Sequence, residues 1–182
     1  MNIFVVDKDP TNAAENLCDK HVVKMIVETV QMLSTAHRVL DGTPTTRVTK
    51  SGRTVRHWTH PDDAWESRLC LATMVHHPCT RWTMAASSNY DWLFDHGAEL
   101  LYQYTLRYDK VHSMQSLFSE CLLHRPKNIV LGERTPFAQA MPDQYRNPDA
   151  VLAYRNYYLG EKRRFAKWKS MNPPSWWREA VA

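Results

Sequence analysis

Glycine is scarce in this chain of 182 residues: five are present, and none are spaced as in GxGxxG or GxxxxGK. The chain therefore lacks the glycine-rich loops that usually hold phosphate through backbone N–H groups. It also lacks GxSxG, HExxH and CxxC patterns, as well as any apolar run long enough to span a bilayer. We accordingly expect no metal, no cofactor and no membrane association.

The cysteines and the N-terminus indicate the compartment. Four cysteines are present, none of them in a paired motif, and Met1 is followed directly by a short apolar segment with Asp7 and Lys8 behind it. This pattern is unlike a signal peptide. Free thiols are typical of a reducing environment, so we expect a cytoplasmic protein.

Histidine and tryptophan are plentiful, at nine and seven residues, and the net charge is +4. The positive charge is concentrated between Arg146 and Arg178, where eight Lys and Arg residues accompany two acidic ones. A basic segment interleaved with Tyr and Trp favours nucleic acid as a partner. A solvated face of a basic helix is an equally good interpretation of the same pattern.

The pattern of apolar residues predicts a mainly α, compact single-domain helical bundle over residues 1–182. A short extended arm precedes the first helix, and β-branched residues around Ser51-Gly52 predict a small β-hairpin near 45–58. Helices are predicted over about 11–40, 61–76, 89–110, 112–124 and 149–169, with another beginning at Pro78.

The first long helix carries a polar seam on an otherwise apolar surface. At 100° per residue, six polar side chains fall within a sector of about 100°: His21, Lys24, Glu28, Gln31, Thr35 and Arg38. The mixture is typical of a lined cleft, in which Glu28 would be a catalytic carboxylate with cations one or two turns away. The alternative is a solvated face with an ordinary Lys24–Glu28 pair.

Other side chains are candidates for binding nucleic acid or a nucleotide. His77 and Arg81 flank the start of a helix, where free N–H groups attract anions, although the pattern by itself favours a capping cluster with a buried Trp82. Arg155, Tyr158 and Lys162 lie one turn apart and suit phosphate binding and base stacking. The basic C-terminal region adds Arg164, Lys169 and Trp176.

Several segments resemble uncharacterised proteins of similar length in phages and large DNA viruses, namely CDKHVVKMIVET, HPCTRW, NYDWL, RYDKVH, AMPDQY and AYRNYY. That resemblance implies no activity. It does imply that the expected location is the cytoplasm of an infected or host cell.

The chain is also similar to the phage pyrimidine-dimer DNA glycosylases. The shared features are a short apolar arm, Asp-x-His followed seven residues later by Glu, a long helix with a basic-aromatic end, and a Pro-x-Trp tail. They correspond here to Ile3-Phe4-Val5, Asp19-Lys20-His21, Glu28, Arg107-Tyr108 and Pro174-Ser175-Trp176.

This resemblance implies a compact α-helical enzyme whose N-terminal amine attacks the sugar C1′ of a damaged nucleotide. A Schiff base and strand scission then follow. In this chain the implied nucleophile is Met1, because Asn2 is too bulky for Met1 to be removed, and the implied acid/base is Glu28. One departure is Val27, which occupies the position of the family's arginine before the glutamate.

Three hypotheses follow. The first is a base-excision enzyme, a DNA glycosylase with or without AP-lyase activity, that acts on pyrimidine lesions or modified bases in DNA. The second is a non-catalytic viral protein that binds or sequesters a nucleotide through the same seam. The third is a helical partner-binding domain that docks through its Trp-rich tail. The sequence leaves the oligomeric state open.

Overall fold

The computed structural model describes residues 1–181 and is mainly α-helical, as predicted. Its elements are α1 (Pro10–Glu15), α2 (Asp19–Asp41), β1 (Thr43–Val48), β2 (Thr54–Thr59), α3 (Asp63–Arg68), α4 (Pro78–Ala85), α5 (Ser87–Tyr108), α6 (Gln115–Leu117) with a π-helical turn (Phe118–Leu122), a 3-10 turn (Asp143–Tyr145), α7 (Ala150–Glu161) and α8 (Ser175–Val181). None of the helices in this range has both the length and the apolarity of a membrane span.

The helix predicted over 11–40 is divided into α1 and α2. The break is at Cys18, whose backbone is extended and whose N–H donates to the hydroxyl of buried Tyr158 at 3.0 Å. The guanidinium of Arg107 donates to the carbonyl oxygens of Leu17 and Glu15, each at 2.8 Å. These contacts satisfy backbone groups that a continuous helix would have paired internally.

Helix α2 is central because its apolar residues pack against α4 and α5 while the N-terminal arm, residues 2–6, is buried beside it. Gly97 permits the close approach of α5. A Cβ at this position would lie 2.7 Å from the ring of Phe118 and 2.8 Å from the methyl group of Thr29. A larger side chain would therefore push the two long helices apart.

The hairpin is confirmed, and it is slightly longer than predicted. Strands β1 and β2 pair antiparallel from Thr43 opposite Thr59 to Val48 opposite Thr54. The turn between them contains Gly52 at a φ of 80°, a left-handed conformation that glycine adopts without steric cost.

Two other helical predictions are too long. The helix predicted over 61–76 ends at Arg68, and the following residues run along α2, where Thr73 pairs with the hydroxyl of Thr35. The helix predicted over 149–169 ends at Glu161. The chain then folds back onto the start of α2, where the carboxylate of Asp19 accepts the backbone N–H of Lys169 at 2.9 Å.

Arg38, at the C-terminal end of the predicted seam, is a structural residue, because its side chain is only 1% exposed. Its guanidinium donates to the carboxylate and the carbonyl of Glu66 and to the carbonyls of Trp58, Leu69 and Cys70. These five hydrogen bonds hold the hairpin base and the segment after α3 against α2. The planar fork of arginine suits such a set of acceptors, and lysine cannot reproduce it.

We expect Arg38→Lys to lower the free energy of unfolding by about 3 kcal/mol or more, because it leaves buried acceptors and the Glu66 carboxylate unpaired. Urea denaturation would measure the change. The matched control is Arg125→Lys, which alters an exposed pair with Asp91 and should cost less than about 1 kcal/mol. Equal losses for the two variants would contradict this role of Arg38.

Candidate active site

Asn2 fixes the N-terminal arm beside α2. Its backbone N–H donates to Oε2 of Glu28 at 2.8 Å, and its side-chain amide donates to the carbonyl of Ala140 at 2.8 Å. Its Oδ1 accepts the backbone N–H groups of Ile3 and Phe4 at 2.8 and 3.1 Å. The arm is therefore held at one position by hydrogen bonds to α2 and to the loop before α7.

Phe4 has a φ of 38°, which is rare for a residue with a bulky side chain. Such a conformation costs about 1–3 kcal/mol and persists where the surroundings impose it. Here the ring stacks on His21 with centroids 4.5 Å apart and lies against Tyr157 and Tyr158. Packing of this ring thus stabilises the bend that directs the first residues toward Glu28.

The N-terminal amine lies 3.9 Å from Oε2 of Glu28, whose side chain is 13% exposed. The ammonium group of Lys24 lies 3.2 Å from the other carboxylate oxygen. The side chain of Met1 is anchored on α4, where its sulfur accepts the hydroxyl of Thr80 at 3.4 Å. The structure therefore brings an amine, a carboxylate and an ammonium group together at the N-terminal half of α2.

These groups line a pocket of about 360 Å³. Its walls combine three lysines, one carboxylate and several aromatic rings, contributed by Met1, Asn2, Phe4, Lys20, His21, Lys24, Glu28, Ala140, Tyr157, Lys162 and Phe165. The excess of positive charge suits an anionic ligand, and the rings offer surfaces on which a base can stack. A phosphorylated sugar or a nucleotide is thus the chemical class that the pocket fits best.

His21 lines this pocket as a neutral group. Burial lowers the pKa of His21 to about 3, with further lowering by the nearby charges of Lys162, Lys24 and Lys20. His21 therefore contributes a neutral ring to the pocket rather than a positive charge, and its contact with nucleic acid stays a prediction. The imidazole packs between Phe4 and α7.

His77 lies close to the N-terminal amine, but it is not among the residues that line the pocket. The Nδ1 atom of His77 accepts the backbone N–H of Cys79 at 3.2 Å and so caps α4. Burial and the charge of the N-terminal amine lower the pKa of His77 and so disfavour its charged form, and a role of His77 in binding phosphate stays a prediction. Arg81 is exposed on α4 and is not among the residues that line the pocket.

The structure corrects the prediction that Tyr158 stacks on a base, and it shows what Arg155 contacts. Tyr158 is fully buried and its hydroxyl accepts from Cys18, so it has no surface on which to stack a base. Arg155 donates to the carbonyl of Val6 at 2.9 Å, and its guanidinium lies over the half-buried ring of Trp176. Arg155 and Trp176 thus fasten the arm and the tail, and a role for these two residues in binding DNA stays a prediction.

Among the cations of the C-terminal region, the structure places Lys162 in the pocket, where its Nζ donates to the hydroxyl of Tyr157 at 3.0 Å. Arg164 and Lys169 are exposed and do not line the pocket. A role for these two residues in binding DNA stays a prediction.

Sequence reasoning missed several residues of the pocket. Lys20 lies one helical turn before Lys24, so the same periodicity that found the seam could have included it. Asn2, Phe4, Tyr157 and Phe165 carried no comparable signal, because the arm and α7 meet α2 only in the folded chain.

A separate cluster, His37, Asp41 and His60, has ligand atoms within 4.8 Å of one another, and no metal site was expected from the sequence. The Nδ1 atom of His60 accepts the backbone N–H of Asp62 at 3.1 Å. The proton of a neutral imidazole is then on Nε2, which offers an N–H rather than a lone pair. This donor set does not fit a three-ligand metal site in the arrangement observed.

A family model described as pyrimidine dimer DNA glycosylase matches residues 1–116, which include the arm, all of α2 and α5. No curated protein and no solved structure is significantly similar to the chain.

Buried neutral histidines predict how stability depends on pH. Burial lowers the pKa of His21 to about 3 and those of His37 and His96 to about 4. An unfolded chain protonates its histidines near pH 6.5, so below that pH the unfolded state binds more protons and the folded state loses stability.

We expect the free energy of unfolding to fall between pH 6.5 and 5 by on the order of 1 kcal/mol per buried histidine. Urea denaturation at closely spaced pH values would measure the slope. His96→Gln should reduce it, whereas His76→Gln, which changes an exposed histidine, should leave it unchanged. Stability that stays constant or rises over this range would contradict the assignment.

Proposed function

The chain belongs to the pyrimidine dimer DNA glycosylase family, and on this premise we propose that it removes damaged pyrimidines with its own N-terminal amine and cuts the resulting abasic strand. The α-nitrogen of Met1 is the nucleophile, and Glu28 is the general acid/base. The observation that carries this proposal is the 3.9 Å separation of the Met1 amine and the Glu28 carboxylate inside a cationic pocket.

The first step joins the α-nitrogen of Met1 to C1′ of the damaged nucleotide. The C1′–N glycosidic bond breaks, its electron pair leaves with the base, and the base takes up a proton. The attacking nitrogen loses a proton to the neighbouring carboxylate of Glu28. Because the carboxylate lies beside the amine, it also stabilises positive charge that develops on the sugar.

The second step opens the sugar. The C1′–O4′ bond breaks, O4′ takes a proton, and C1′ and the Met1 nitrogen form an iminium. Loss of a proton from C2′ then expels the 3′ phosphate by β-elimination, which is the lyase reaction. Glu28 accepts and returns protons in this proposed reaction, and its position beside the Met1 amine supports that role.

The lysines of the pocket hold the substrate. Lys20, Lys24 and Lys162 face the phosphates beside the reacting sugar, while the half-buried rings of Tyr157 and Phe165 flank a nucleotide that has left the base stack. A damaged pyrimidine pair stacks and pairs poorly, which lowers the cost of moving a nucleotide into the pocket. Arg164 and Lys169 extend the positive surface outside it.

The proposal requires a free α-amine at the first residue. Asn2 is 8% exposed, and its side chain makes three hydrogen bonds that hold the amine of the preceding residue toward Glu28. Any extension before Met1 would replace the amine with an amide, which is not nucleophilic.

We expect Glu28→Gln to reduce cleavage of the glycosidic bond and of the strand in a duplex that contains a cyclobutane pyrimidine dimer by about 100-fold or more, because proton transfer then lacks its carboxylate. Denaturing gel electrophoresis of cleaved strands would measure the rate. Glu15→Gln, which changes an exposed glutamate on α1, should retain the rate of the unaltered protein.

Borohydride reduction should trap a covalent complex of the unaltered protein with the same DNA and with abasic DNA. N-terminal acetylation should abolish trapping without changing the melting temperature. Trapping that survives acetylation would contradict the role of the amine. A thermal shift with free nucleotides and no adduct with any DNA would instead favour a nucleotide-binding protein.

A further inference from the structure

The hairpin carries charge that the proposed chemistry does not use. Between Thr43 and Pro61 the chain contains Arg47, Lys50, Arg53 and Arg56 and neither Asp nor Glu. No ion pair joins any of these four side chains to another group in the part of the chain that the structure describes. The result is an element with four uncompensated positive charges.

This element projects from the body of the protein. Every residue of β1 is exposed, and Trp58 is the one buried residue of β2. A two-stranded hairpin with both faces in water is at best marginally stable by itself. Contacts at the base of the hairpin hold it to the helices. The carbonyl of Trp58 accepts a hydrogen bond from Arg38, and Nε2 of His57 lies 3.5 Å from the carboxylate of Glu66.

The cations are distributed over all sides of the ribbon. Arg47 lies opposite Val55 and Arg56 lies opposite Thr46, and since neighbouring residues of a strand point to opposite faces, these two arginines are on opposite faces. Lys50 and Arg53 lie at the turn. A ribbon that enters a DNA groove meets phosphates along both walls, so this distribution matches that environment.

We propose that hairpin β1–β2 is a DNA-binding arm that contacts the phosphates of duplex DNA away from the lesion. The proposal rests on the proposed function only for the choice of DNA as the polyanion. Helix α2 runs from Glu28 to the hairpin base, which is about 20 Å at 1.5 Å per residue. That length corresponds to about six base pairs of duplex.

The test uses the full chain with Arg47, Lys50 and Arg53 replaced together by Gln. Arg56 is left in place because its guanidinium lies over the ring of Trp58 at the hairpin base. The control replaces three other exposed cations that lie outside the hairpin and the basic C-terminal segment, Lys8, Lys110 and Arg134, by Gln and so makes the same change in net charge. Thermal unfolding of both variants should match that of the unaltered protein.

Fluorescence anisotropy with an undamaged duplex of about 24 base pairs, titrated from about 50 to 200 mM salt, is the measurement. We expect the hairpin variant to bind at least about tenfold more weakly at the lowest salt. Its slope of log affinity against log salt should fall by about 2–3, because each lost phosphate contact removes about 0.9. The control variant should keep most of the affinity and slope.

Equal slopes for the hairpin variant and the unaltered protein would overturn the proposal, as would an equal loss in the control variant. Unchanged DNA binding with loss of binding to vesicles of anionic phospholipid would assign the hairpin to membranes instead. Because undamaged DNA requires no chemistry, these outcomes are independent of borohydride trapping. The hairpin proposal can therefore fail while the proposed function stands, and the proposed function can fail while the hairpin proposal stands.

Discussion

The hydrogen bond from the backbone N–H of Asn2 to the carboxylate of Glu28 is the contact on which the site depends. It joins a strained extended arm to the central helix and places the first amine of the chain beside a carboxylate. Three other contacts hold the N-terminal region in the same position. The ring of Phe4 stacks on His21, Arg155 donates to the carbonyl of Val6, and Thr80 donates to the sulfur of Met1.

Helix α2 performs two tasks with one polar seam. Toward its N-terminus, Lys24 and Glu28 border a pocket and retain partial exposure. Toward its C-terminus, Thr35 and Arg38 are buried and hold the chain segment that follows α3. A buried arginine is costly to desolvate, and five hydrogen bonds offset that cost. The same seam thus borders the pocket at one end and holds the hairpin base at the other.

The features of the fold and the site that the sequence predicted are those that depend on residues close together in the chain. Helical periodicity is local, and it identified α2 and placed Lys24 beside Glu28. The burial of a helix face depends instead on which distant segments of the chain pack against it. The sequence pattern therefore could not show that Tyr158 is enclosed by the tail, or that His21 is desolvated and neutral. The bend at Phe4 and the end of α3 at Arg68 likewise arise from tertiary contacts with residues distant in the sequence.

The central claim is that the reactive amine is the α-nitrogen of Met1 rather than the side chain of Lys24, which lies 3.2 Å from the same carboxylate. Peptide mass spectrometry of the borohydride-reduced DNA complex distinguishes the two directly. We predict that the sugar remnant is attached to the α-nitrogen of the N-terminal peptide. An adduct on Lys24, Lys20 or Lys162, or an unmodified N-terminal peptide in the trapped complex, would contradict the account.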